Sequence, residues 1–250
     1  MPHETAPGPA PWVLMYHSVA DCRDDPYLVT VSPRRFAAQL GWLRGKGLTG
    51  VGVGELLRAR AEGRGRGLVG LTFDDGYADF LGTAVPLLLE HGHRATVFVL
   101  PGRLGGTNAW DAGGPRKPLL TAAGIRAAAC AGMEVGSHGL VHTDLTSVDD
   151  GRLAAEAAGS RRLLTEITGR PPGGFCYPYG AVDARAVRAV RSAGYSYACG
   201  VSPGPLAGPF ALPRSYVGDR DTPARLRAKR ILHAFPAGRT PLERLRALHA

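Results

Sequence analysis

The sequence predicts a parallel α/β fold, either a barrel or a doubly wound sheet, on three observations. About seven short apolar runs recur along the chain, helical patterns with recognisable starts separate them, and 250 residues is an ordinary length for one α/β barrel. Alternation of that kind implies parallel strands joined by crossover helices.

Residues 1–10 read as a flexible lead-in, 11–240 as one domain and 241–250 as a C-terminal segment. The run at 12–17 is the first strand. Ser32-Pro33 then opens a helix whose Phe36, Leu40 and Leu43 fall at helical spacing. Strands follow at 67–73 and 95–100. The stretch 101–118, PGRLGGTNAWDAGGPRKP, has no pattern and is long enough to be either the wall of a site or disordered. Thr121 starts a helix before Ile125, and 133–137 is a strand. Ser147 starts a helix bearing Leu153, Leu163 and Leu164. After the strand at 174–179, Asp183 starts a helix bearing Val187 and Val190, and strands at 195–199 and 212–217 complete the set. Leu226, Ile231 and Phe235, with Arg and Lys between them, mark 222–235 as an amphipathic surface helix.

Composition is that of a folded soluble protein, with 44% apolar and 20% charged residues. The formal charge of +9 comes from arginines spread through nearly every helix, with no nucleic-acid motif beside them, so nucleic acid is not an expected partner. Cys22, Cys130, Cys176 and Cys199 form no CxxC pair and read as buried thiols. Neither a basic-then-apolar leader nor a run of eighteen apolar residues occurs, so no membrane span is expected. The chain as written reads as cytoplasmic, or as extracellular if a leader has been removed.

In barrels and doubly wound sheets alike, chemistry gathers at the C-terminal ends of the strands. Asp74-Asp75-Gly76 follows one strand, His138-Gly-Leu-Val-His142 another, and Pro178-Tyr179-Gly180 a third. One carboxylate and two imidazoles suffice to hold a divalent metal with positions left open. If Asp75 binds such a metal, Asp74 can stay ionised beside it as a base toward water. Taken singly, Asp-Asp-Gly is a surface turn and a loop HxxxH is polar surface. Their joint placement at strand ends favours the metal.

Thr72-Phe-Asp-Asp-Gly76 and Ser137-His-Gly-Leu-Val-His142, in this order and at this separation, resemble the motifs of the polysaccharide deacetylases of carbohydrate esterase family 4. Val13-Leu-Met-Tyr-His17, Asn108-Ala-Trp-Asp111 and Phe175-Cys-Tyr-Pro-Tyr-Gly180 resemble most the poly-β-1,6-N-acetylglucosamine deacetylase branch. The resemblance implies a distorted (β/α) barrel of about seven parallel strands that hydrolyses N-acetyl groups of amino sugars. It also implies Asp74 as base, Asp75, His138 and His142 as ligands of zinc (or cobalt, nickel, iron or manganese), and the Tyr179 backbone N–H as an oxyanion donor.

Two departures from the common pattern matter. Many members carry an Arg that contacts the base where this chain has Cys176, and a thiol cannot supply that charge; Arg214 is the candidate to replace it and is grouped with the substrate-binding residues. The usual general acid is a C-terminal Leu-x-His, which Ile231-Leu-His233 fits only in part. His17, at the end of the first strand, is expected to be the acid instead, as if that strand had been circularly permuted to the N-terminus; otherwise it caps the strand. Trp110 and Asp111 are expected to line the sugar site, while Tyr77 reads as packing.

The leading reading is a metal-dependent N-deacetylase acting on an N-acetylated amino-sugar oligomer or polymer. The alternatives are a deacylase of a small N-acyl metabolite and a silent sugar-binding domain, the latter supported by Cys176.

Overall fold

The computed structural model describes residues 10–234. Nearly all of the lead-in, Phe235 and the 241–250 segment therefore lie outside the described residues. The strands are β1 (Val13–Tyr16), β2 (Ser18–Val19), β3 (Thr30–Val31), β4 (Thr49–Val51), β5 (Leu68–Phe73), β6 (Thr96–Val99), β7 (Glu134–Ser137), β8 (Gly174–Cys176), β9 (Tyr197–Cys199) and β10 (Ser215–Tyr216). Seven of them form a curled sheet in the order β10-β1-β5-β6-β7-β8-β9, with β4 beside the first half of β5, and every pairing is parallel. β2 and β3 make a separate parallel pair. The distorted barrel of about seven parallel strands is thus what the chain forms.

The last strand segment draws the two ends of the sheet together. Leu212 donates to the Ala198 carbonyl at 2.8 Å and accepts from Gly200 at 2.9 Å, while from Ser215 onward β10 pairs with β1. Pro213, which has no N–H to give, separates the two contacts. β1 consequently sits between β10 and β5, and the N-terminal strand delivers His17 to the same rim as the aspartates.

Side chains alternate across each strand, and both faces are buried. Leu14, Tyr16, Leu71 and Phe73 face outward onto Phe36, Leu40 and Leu43 of α1 (Pro33–Gly45), with the Tyr16 and Phe73 rings stacked at 5.3 Å. Each side chain of this kind contributes about 1.5–3 kcal/mol by leaving water. The alternate residues Val13, Phe98, Cys176, Tyr197, Cys199 and Leu212 fill the barrel interior. Space there is so limited that a Cβ on Gly136 would lie 2.5 Å from the Phe98 ring.

The remaining helices are α2 (Val53–Ala61), α3 (Val85–Glu90), α4 (Ala122–Cys130), α5 (Asp150–Ala154), α6 (Ser160–Thr168), α7 (Ala184–Ser192) and α8 (Pro223–Ala234), with π-helical turns at Phe80–Ala84 and Ala155–Gly159. Thr121 and Asp183 cap their helices by accepting from Gly124 and Ala186. Ser32 precedes α1 without capping it; its hydroxyl donates to Asp219 instead. Ser147 does not start the next helix. Its hydroxyl closes a turn on the Asp144 carbonyl, and the Asp149 carboxylate takes the cap from Arg152 N–H.

The strand expected at 174–179 ends at Cys176 and turns through a 3₁₀ segment, Pro178–Gly180, because Pro178 has no N–H with which to extend the ladder. β2, β3, β4, α2 and α3 were not anticipated; the strands among them are only two or three residues long, and α2 lies in a Gly-rich stretch. Of the four free cysteines, Cys176 and Cys199 are buried as expected, whereas Cys22 is half-buried and Cys130 exposed, since both sit outside the barrel wall. No helix among the described residues is long and apolar enough to cross a membrane.

Candidate active site

Adjacent residues of a strand face opposite sides, so two neighbouring aspartates could not both enter the barrel mouth if β5 simply continued. Alternation brings Thr72 and Asp74 inward. Asp75 then takes φ 69°, a left-handed conformation that turns its side chain to the same side. Gly76 follows at φ 70°, and a Cβ there would press to 2.9 Å on Val99, so the turn requires glycine. Only four described non-glycine residues have positive φ. Three of them are Asp75, His142 and Tyr179, and all three line one cavity of about 400 Å³. Backbone strain of about 1–3 kcal/mol per residue, collected in one place, marks a site that the rest of the fold holds in shape.

Asp75, His138 and His142 are buried and meet at the floor of this cavity. His138 Nε2 lies 3.3 Å and His142 Nε2 3.2 Å from Asp75 Oδ1. His138 Nδ1 is 2.8 Å from the Cys176 carbonyl, which can only accept, so that nitrogen carries a proton and Nε2 is the ring atom turned toward Asp75. Asp75 Oδ1 finds no aligned donor, and His142 Nδ1 is likewise buried without a partner. A carboxylate oxygen and two imidazole nitrogens converging on one buried point, the oxygen without an aligned hydrogen bond, fit a cation. Burial pushes the Asp75 carboxyl up, but the two imidazoles opposite it hold it well below the usual carboxylate range, so it is ionised and ready for one.

Asp74, His138 and Cys176 also lie close enough together to share an ion. A fixed cation already occupies that corner. Arg214 Nη1 and Nη2 grip the two Asp74 oxygens at 2.7 and 2.8 Å, Nη2 also reaches the Cys176 sulfur at 3.0 Å, Nη1 reaches Thr72 Oγ1 at 3.0 Å, and Nε donates to the Gly200 carbonyl at 2.9 Å. A guanidinium has about five N–H donors, and these contacts use them all. A metal beside this charge would be repelled, so the Asp75 corner is the better cradle.

This arrangement corrects one expectation and resolves a question. Arg214 has no donor left for a sugar and its side chain is 1% exposed, so it is not a substrate-binding residue. It supplies instead the charge that Cys176 cannot. Burial would raise the Asp74 carboxyl, and the Arg214 charge and hydrogen bonds more than offset this, holding it below its ordinary value. Burial pushes the Cys176 thiol well above its ordinary value, so it stays S–H and donates to Asp74 Oδ2 at 3.5 Å.

His17 Nε2 stands 4.0 Å from Asp74 Oδ2, on the wall of the same cavity. Its Nδ1 is buried without a partner, so no strand-capping bond forms through that nitrogen. His233 is elsewhere: it bonds the Ala10 carbonyl before β1, at the opposite end of the strand from His17. Trp110 lies flat on the His142 ring at 4.5 Å, and the 60% exposed Tyr179 meets the same ring edge-on at 4.4 Å. The loop 101–118 is therefore a wall of the cavity. Asp111 lines it, hydrogen-bonded at 3.5 Å by the buried Tyr77 hydroxyl, so Tyr77 does more than pack. Tyr27, which no sequence signal pointed to, crosses from the β2–β3 segment to accept from Gly113 N–H at 3.1 Å. A larger cleft of about 920 Å³ between residues 20–32 and α8 contains none of these groups.

The family model described as Polysaccharide deacetylase matches residues 61–198, a span that holds Asp74, Asp75, His138, His142 and Tyr179 but neither His17 nor Arg214. YxkH of Bacillus subtilis, whose name assigns it to the polysaccharide deacetylases, is 26% identical over 207 residues, 81% of this chain and 69% of that protein. The deacetylase PplD of Streptococcus pyogenes, solved with acetate, superposes with a TM-score of 0.75 at 22% identity over 91% of this chain and 100% of its own. IcaB of Ammonifex degensii gives 0.69 at 26% identity over 88% and 97%.

Proposed function

Because the chain belongs to the polysaccharide deacetylase family, hydrolases of linear amide bonds, we propose that it removes acetyl groups from N-acetylhexosamine units of a saccharide, using a divalent metal held by Asp75, His138 and His142. The observation that carries this reading is the convergence of one buried carboxylate oxygen and two buried imidazole nitrogens, with no aligned hydrogen bond to that oxygen. Two imidazoles and a carboxylate suit zinc, and cobalt, nickel, iron or manganese accept the same donors. When bound, the metal supplies Lewis-acid polarisation of the acetamide carbonyl and of water.

The chain's own groups do the rest. Asp74 takes the proton from the attacking water, and Arg214 keeps it ionised and aimed. The Tyr179 N–H, carried on a strained turn, donates to the oxyanion. His17, which faces both Asp74 and the open cavity, protonates the leaving amine. Trp110 offers a flat indole face to a pyranose ring, and Asp111 accepts from a sugar hydroxyl.

Arg214 removes the main support for a silent sugar-binding domain, since Asp74 has its cation despite Cys176. Metal content and acetate release on chitooligosaccharides, β-1,6-linked oligomers, nucleotide sugars and small N-acyl metabolites test the proposal together. Activity on the oligomers, lost on chelation and restored by divalent metal, is the expected result; sugar binding with no acetate release refutes it. His17→Asn is expected to keep full metal content and lower kcat by about 10²–10⁴-fold, the usual share of a general acid. Unchanged kcat in that variant removes His17 from the chemistry.

A further inference from the structure

Glu156 is a fully buried carboxylate that the chemistry above does not use. It sits on the π-helical turn Ala155–Gly159 between α5 and α6, on the outer side of β7. A π-turn re-aims one side chain within a helix, and such turns gather at functional sites. Here the side chain is aimed at the loop between the two histidines. Glu156 Oε2 accepts from Leu140 N–H at 2.5 Å, and Oε1 accepts from the Thr143 hydroxyl at 3.4 Å and pairs with Arg152 at 2.7 Å.

The neighbouring contacts share this purpose. Ser160, one helical turn beyond Glu156, is joined at 2.8 Å to Ser137, whose oxygen accepts from Gly139 N–H. Gly102 N–H donates to the Leu140 carbonyl, so Leu140 is held through both its N–H and its C=O. A Cβ on Gly139 would come within 3.1 Å of Glu156 Oε2. His142 is held at φ 67°, a conformation that a free loop would leave.

We propose that Glu156 is a positioning residue that sets the spacing of His138 and His142 by holding the loop on both sides of His142, through the Leu140 N–H before it and the Thr143 hydroxyl after it. The inference rests on the metal reading of those histidines given above. A carboxylate suits the task because one charged group can take two donors while Arg152, half exposed, balances its charge at the surface.

The test compares Glu156→Ala, Glu156→Gln and Arg152→Ala by zinc affinity in competition with a chromophoric chelator, with circular dichroism and Tm of the metal-free proteins. Glu156→Ala is expected to lose about 10–100-fold in zinc affinity, the usual effect of removing a group that orients a ligand. Glu156→Gln keeps one acceptor for Leu140 N–H and is expected to lose about 3–10-fold. Arg152→Ala should stay within about 3-fold of the parent, as an exposed partner contributes little. Excess zinc should restore kcat in Glu156→Ala, which it could not do for a collapsed barrel. Parent-level affinity in Glu156→Gln and in a folded Glu156→Ala overturns the proposal; should the Ala variant not fold, the Gln variant alone decides. A parent that takes up no divalent metal is a different failure, which overturns the metal reading itself and this inference with it.

Discussion

Asp74→Asn is expected to lower kcat for acetate release by about 10²–10⁴-fold while the protein still takes up its metal, because the amide cannot accept a proton at neutral pH. Asp75, His138 and His142 do not depend on Asp74 for their mutual spacing, so metal content separates loss of the base from loss of the cradle. The substitution also strips a buried guanidinium of its counter-charge. Arg214 has nowhere else to turn, since its other donors are committed to Thr72, Gly200 and Cys176. Stability should therefore fall by about 3–5 kcal/mol, the range for breaking one side of a buried ion pair. Acetate release within tenfold of the parent, at equal metal content, would show that another group takes the proton.

Arg214→Met tests the other half of the pair. Asp74 has a folded-state pKa below its unfolded value of about 3.9, so the pair's stability is fully present above that unfolded value and is lost as pH falls through the folded one. With the cation gone, burial is left to raise the carboxyl. The acidic limb of kcat/KM should then move to higher pH, and urea unfolding at neutral pH should show a loss of about 3–5 kcal/mol. Arg214→Lys retains the charge but not the two-pronged grip, and is expected to fall between parent and Met in both measurements. If the acidic limb stays where it is in the Met variant, Arg214 does not tune Asp74.

The sequence by itself determined the parallel α/β architecture and most of the residues at the barrel mouth. Strand-length apolar runs and capped helices are local patterns, and the chemistry-bearing residues stand directly at the ends of those runs. Asp74, Asp75, His138, His142 and His17 could be singled out for that reason. What a side chain faces across the barrel is not a local property. Arg214 is 140 residues from Asp74, and it meets Asp74 only because the Leu212–Tyr216 segment joins β9 to β1. Glu156 reaches Leu140 because a helix widens by one residue at Ala155–Gly159, and Tyr27 reaches Gly113 because the segment between β2 and β3 meets the loop that follows β6. Tertiary structure alone decided these partners, since strand order, register and helix packing set which donors and acceptors come within 3 Å, and no pattern along the chain encodes that distance.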